Sequence, residues 1–216
     1  MAANNLRTEL AATAARLIAE EGCEYAQAKR RAAQEILGED ARRSTMPDNH
    51  EVERELRRYL RLFGGDAHRA LLTALRTVAA DTMQRLHDFE PHLIGAVLNG
   101  TATEHSDIHL QLFVDSAKDV ELLLLNLGVD FDVDDGDGAG ERPAALERLS
   151  FVVPWAANGA PGRRVIGVRL HIYPRDAIRI AARRRDVAAE EDMHPIEAAG
   201  RANLELLYRL IGETAK

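Results

Sequence analysis

Residues 95–110 read Gly95-Ala96-Val97-Leu98-Asn99-Gly100-Thr101-Ala102-Thr103-Glu104-His105-Ser106-Asp107-Ile108-His109-Leu110, a glycine turn followed by a carboxylate and an imidazole two residues apart. Glycine at 95 permits close approach of the backbone to a bound group. Alternation puts Asp107, His109 and Gln111 on one face of a strand and Ile108, Leu110, Leu112 and Val114 on the other. A later run sorts the same way, Arg169, His171 and Tyr173 against Ile166, Val168, Leu170 and Ile172. One carboxylate with two imidazoles, Asp107, His109 and His171, is a donor set suited to zinc, manganese or iron, whereas magnesium prefers hard oxygen ligands. The structural alternative makes both histidines neutral hydrogen-bonding groups in a polar cleft.

The register from Gly95 to Asp107 resembles the signature of the polymerase-β-type nucleotidyltransferase superfamily: a Gly-Ser pair after a first strand, a small-residue stretch with a further glycine, then Ser-Asp-x-Asp on a second strand. Gly100-Thr101 and Ser106-Asp107-Ile108 fall in place, and the resemblance covers about residues 90–175. It implies a nucleotide-holding turn at Gly95, Ala96, Asn99 and Ser106, catalytic roles for Asp107 and His109, and a divalent metal, magnesium or manganese, on carboxylates that activate an attacking oxygen. Two positions depart from the pattern. Ala96 stands where the family has serine, removing a hydroxyl donor to phosphate, and His109 stands where it has the second aspartate. If the 165–173 run is the family's third-carboxylate strand, Arg169 or His171 has replaced the acid, and an arginine there would put a guanidinium where a metal would sit. Asp130 and Asp132 are the remaining acidic candidates.

Three functions follow as expectations. The first is a catalytically degenerate family member that binds a nucleotide or a macromolecular partner. The second is an active transferase moving a nucleoside monophosphate from a triphosphate to a hydroxyl of a small molecule, an RNA or a protein. The third is a helical interaction protein outside the family. Lys29-Arg30-Arg31 and Arg54, Arg57, Arg58 and Arg61 could meet RNA phosphates, but Glu51, Glu53 and Glu55 interleave with the second group and favour intrahelical ion pairs.

The net charge of -7 argues against a protein that coats nucleic acid non-specifically. The single cysteine, Cys23, excludes a disulfide framework and a cysteine-cluster zinc site, and fits a reducing compartment. MAANNLRTEL has no basic stretch leading into an apolar run, and no segment is apolar over a bilayer's width, so no membrane and a cytoplasmic location are expected. The aspartates of 130–137 lack the spacing of a calcium loop, and Gly136, Gly138 and Gly140 lack a dinucleotide-binding context.

These residues need elements to position them. An α+β chain is expected, with a helical region at 1–88 and a nucleotidyltransferase-like domain at 89–216 whose mixed sheet is flanked by helices. Leu6, Leu10, Ala14, Leu17 and Ile18 form a helical stripe ended by Gly22, and Tyr25 to Leu37 a second. A capping box of Asp48 and Glu51 opens a third helix carrying Val52, Leu56, Tyr59, Leu60 and Phe63. A fourth, from Ala67 to Leu86, turns Arg69, Arg76 and Arg85 outward. Strands are expected at 92–98, 107–115, 129–133, 149–155 and 165–173, a helix at 119–127, a hairpin turn at Asn158-Gly159 and a last helix from Pro195.

Overall fold

The computed structural model describes residues 2–38, 46–134, 145–155, 165–180 and 193–214. The fold is α+β. It contains α1 (Ala2–Glu21), α2 (Tyr25–Leu37), α3 (Asn49–Phe63), α4 (Gly65–Arg85), β1 (His92–Ile94), α5 (Gly95–Asn99), β2 (Ile108–Val114), α6 (Ala117–Asn126), β3 (Asp132–Val133), β4 (Glu147–Pro154), β5 (Val165–Pro174), α7 (Pro195–Ala198) and α8 (Leu204–Thr214). No helix among the described residues is long and apolar enough to cross a membrane.

The chain forms two compact units, residues 1–71 with 103–105, and residues 72–102 with 106–216. α4 contributes residues to both units.

In the first unit α1, α2 and α3 bury small and apolar residues on their facing stripes, including Leu10, Ala14, Leu17, Ala28, Ala32, Val52 and Leu56. Asp48 caps α3 by accepting from the Glu51 amide at 2.9 Å, and Glu51 returns the contact to the Asp48 amide at 2.7 Å. Arg7 donates to both oxygens of Glu51, at 2.7 and 2.8 Å, which ties α1 to that cap. These contacts hold the Glu51 carboxyl below its ordinary range, with the Arg7 hydrogen bond as the main cause. The α3 stripe ends sooner than its pattern suggests, since Phe63 is exposed and meets the Tyr59 ring at a tilt of 42°.

The second unit is built on one five-stranded sheet in the order β1-β2-β5-β4-β3. β2 and β5 run parallel, and the other neighbours are antiparallel. One face carries Leu93, Ile108, Leu110, Leu112, Leu149, Val168, Leu170 and Ile172, all buried. Val120 and Leu124 of α6 and Leu207 and Leu210 of α8 are buried. The antiparallel β4–β5 pairing reaches Pro154↔Val165, as a hairpin requires. The expected Asn158-Gly159 turn lies outside the described residues, as do Asp135, Asp137 and the glycines at 136, 138 and 140.

Three elements differ from expectation. The 92–98 run stops being strand at Ile94, and Gly95–Asn99 is a helical turn. The 129–133 run contributes only two strand residues. The helix from Pro195 breaks at Gly200, where Ala202 pairs with Leu93 in an isolated bridge before α8 begins. That bridge, with amide-to-carbonyl distances of 2.8 and 3.0 Å, fastens the C-terminal segment to β1.

Candidate functional site

The face of the sheet opposite the apolar one is polar. Cross-strand neighbours share a face, so the register assigns its rows directly. Ile94, His109, Arg169 and Ser150 form one row, and His92, Gln111, His171 and Arg148 form the next. Beyond them Phe113 lies beside Tyr173, with ring centroids 6.0 Å apart, and Arg201 sits 5.5 Å over the Phe113 ring. His92 meets the edge of Phe113 and is pushed below the usual imidazole pKa, chiefly by burial, with the nearby Arg201 charge adding to the effect.

Strand β1 delivers Gly95 to the edge of this face. Its φ of 73° lies in the left-handed region that side chains disfavour. A Cβ built there would stand 3.7 Å from the Cβ of His109, so the turn and the second strand of the motif lie side by side. Asp107 immediately precedes β2. Its carboxylate lies over Gly167 of β5, where any Cβ would collide with it. Glycine at 167 therefore makes the space that lets Asp107 lean toward β5.

What the carboxylate meets there is a cation. Arg169 Nε donates to Asp107 Oδ2 at 3.2 Å. Two residues along each strand, His109 Nδ1 lies 3.1 Å from His171 Nε2, with the rings 22° from parallel. That separation is a hydrogen bond between imidazoles, one donating and one accepting. The fold thus brings Gly95, Asp107, His109 and His171 together, and places Arg169 among them.

Asn99 is not brought to this face. It is buried, and its Oδ1 accepts from the amide and hydroxyl of Thr101 at 3.0 and 2.6 Å, which closes the turn after α5. Ala96 and Ser106 are half-buried, Ala96 lending its carbonyl to the Thr101 amide at 3.0 Å.

The donor set does not suit magnesium, which needs several oxygen ligands. The motif offers one carboxylate, and that carboxylate is held by a guanidinium. Among the described residues no three His, Cys, Asp or Glu side chains gather to hold a metal ion. The set Asp107, His109 and His171 is divided accordingly into an Asp–Arg contact and a His–His contact. No family model, curated protein or solved structure matches the chain.

One residue that supports the site was misjudged from sequence. Arg76, expected outward on α4, is only 2% exposed. It donates from Nε to the Val97 carbonyl and from Nη2 to the Leu98 carbonyl, both at 3.1 Å, and from Nη2 to Glu197 Oε1 at 2.6 Å. A short helix leaves its last carbonyls without partners, and Arg76 satisfies two of them in α5. Glu197 in turn accepts from the His194 amide in the capping box of α7. Arg76 is therefore a positioning residue for the segment that follows Gly95. The available signal was its spacing, four residues after Leu72 and seven before Met83, both on the buried stripe.

Proposed function

We propose that this chain is a divergent, catalytically degenerate protein of the polymerase-β-type nucleotidyltransferase kind, which holds a nucleotide and does not transfer its nucleotidyl group. The observation that carries the reading is the engagement of Asp107 by Arg169. Metal-assisted nucleotidyl transfer needs carboxylates that gather cations around the reacting phosphate. Here the one carboxylate of the motif faces a fixed positive charge, its expected partner is His109, and the adjacent strand supplies Arg169 and His171 in place of an acid. The retained parts, a glycine turn beside the second strand and a polar sheet face, are those that would seat a ligand.

The test is calorimetric titration with each of the four nucleoside triphosphates in magnesium, in manganese and in EDTA, alongside an assay for released pyrophosphate. Binding without pyrophosphate release is the expected result. Release of pyrophosphate in proportion to enzyme would overturn the degenerate reading and favour an active transferase. Absence of binding by every nucleotide would remove the nucleotide from the proposal.

A further inference from the structure

We infer that the polar face of the sheet takes the polyphosphate chain of its nucleotide directly, using the Arg169 guanidinium where related chemistry uses a metal ion. The inference rests on the nucleotide-holding reading and names how the ligand would be recognised.

Charge is the first argument. In the two rows of the face, β4 and β5 contribute the cations Arg148 and Arg169, and the hydrogen-bonded His109–His171 pair of β2 and β5 adds ring nitrogens. Ser150 is opposite Arg169, and Gln111 is beside His171. Directly opposed side chains start about 5 Å apart at Cβ, so these groups can reach one extended anion. Asp107 at the end of the array is the motif's one carboxylate, and it already lies against Arg169.

The second argument is the quality of that contact. Charge-assisted N–H···O bonds run at about 2.7–2.9 Å, and strong arginine–carboxylate pairs are bidentate. Asp107 is held by Nε at 3.2 Å, with the Arg169 side chain 48% exposed and that of Asp107 25% exposed. A guanidinium has five N–H donors in a planar fork that fits phosphate oxygens. The Arg169 guanidinium is thus loosely engaged by this carboxylate, and a more highly charged phosphate would take its place on the guanidinium. Gly167 supplies the space in which Asp107 lies while it occupies Arg169.

The two accounts of Asp107 predict opposite signs for one variant. If Asp107 serves a metal, Asp107→Asn weakens nucleotide binding. If it competes with phosphate for Arg169, Asp107→Asn tightens it. The experiment is titration of the full chain with ATP and with inorganic tripolyphosphate, in EDTA and again in magnesium and in manganese, for the parent, Asp107→Asn and Arg169→Gln, with thermal melts to establish that each variant is folded. The expected result is binding of both ligands in EDTA, tightened in Asp107→Asn and weakened about tenfold or more in Arg169→Gln, as the loss of one charge-assisted contact implies. Tripolyphosphate binding without any gain from the nucleoside would support the anion site while failing the nucleotide reading. ATP binding that requires magnesium or manganese, or is lost in Asp107→Asn, would overturn the inference and leave the nucleotide reading standing. No binding of either ligand would overturn both.

Discussion

Arg76 and Arg169 each hold a carboxylate on the second unit of this chain, and they do so in contrasting surroundings. Arg76 is 2% exposed, meets a Glu197 that is 14% exposed at 2.6 Å, and spends two further hydrogen bonds on the carbonyls of α5. Arg169 is half-exposed and offers Asp107 one contact at 3.2 Å. Burial makes the first pair hard to break, because whichever charge is left behind is stranded away from water. Exposure makes the second pair easy to exchange, because water or another anion can replace either partner. The same two functional groups thus form a buried fastening in one place and an exposed, exchangeable pair in the other.

The largest expected effect comes from breaking the fastening. Arg76→Ala leaves Glu197 and two carbonyls without their donor, and should destabilise the chain by about 3–5 kcal/mol, the usual loss when one partner of a buried ion pair is removed. Urea unfolding of parent and variant measures it. A loss below about 1 kcal/mol, the range of an exposed pair, would erase the contrast with Arg169.

A double-mutant cycle on Asp107→Asn and Arg169→Gln sharpens the other side. The coupling energy should fall at about 0–1 kcal/mol once solvent screening of two partly exposed groups is counted. A coupling of several kcal/mol would mean that Asp107 is locked and not displaceable.

Much of this architecture was legible beforehand, and the reasons differ by element. The polar and apolar faces of β2 and β5 followed from strict alternation, since a period of two leaves each residue one side to occupy. The Asp48–Glu51 cap was visible because both partners lie within one helical turn. The segment Gly95–Asn99 was misread as strand because a short apolar run such as Ala96-Val97-Leu98 fits either period. Arg76 was misread because its partners come from residues 97, 98 and 197, the last 121 positions away, and a charge on a helix reads as exposed until they are known. In the site, Asp107, His109 and His171 could be proposed from their spacing. Their division into one Asp–Arg and one His–His contact depends on the β2–β5 register, which no local pattern encodes.

Gly167→Ala tests the exchangeable pair by geometry rather than charge. A methyl group at 167 would meet the Asp107 carboxylate, the movable end of a side chain, and push it off Arg169. Stability should change by less than about 1 kcal/mol, the order of a glycine-to-alanine difference in a strand, while tripolyphosphate titration should shift in the same direction as in Asp107→Asn. A shift in the opposite direction would show that the carboxylate does not compete for the guanidinium.

The smallest effect concerns carboxylates held by a lysine instead. Glu121 of α6 and Glu147 of β4 lie beside Lys118, whose Nζ is 2.5 Å from Glu121 and 3.7 Å from Glu147. The lysine hydrogen bond lowers the Glu121 carboxyl, whereas burial and the neighbouring Glu121 raise that of Glu147. A raised pKa means that the folded state holds the Glu147 proton more tightly than the unfolded state. Its stabilising contribution is therefore present below the ordinary glutamate pKa and lost as pH rises through the folded value. Glu121 has the opposite sign: its contribution is present above the ordinary value and lost as pH falls through the folded one. Glu147→Gln should accordingly gain in melting temperature relative to the parent between pH 4 and pH 7, by a small amount at these partly exposed positions. A difference that narrows over that interval would contradict the assignment.

The sheet order carries a consequence in time. Asp107 and Arg169 are 62 residues apart in sequence, and β5 is inserted between β2 and β4 although it is the last of the described strands. As the chain leaves a ribosome, β1 and β2 can pair early and β4 can meet β3, but β2 keeps one unpaired edge until residues 165–174 arrive. Non-local pairing of this kind is slow, because loop closure must precede the contacts that reward it. Arg169 and His171 reach Asp107 and His109 only with that insertion, so the polar face is completed late, by the strand that joins the two halves of the sheet.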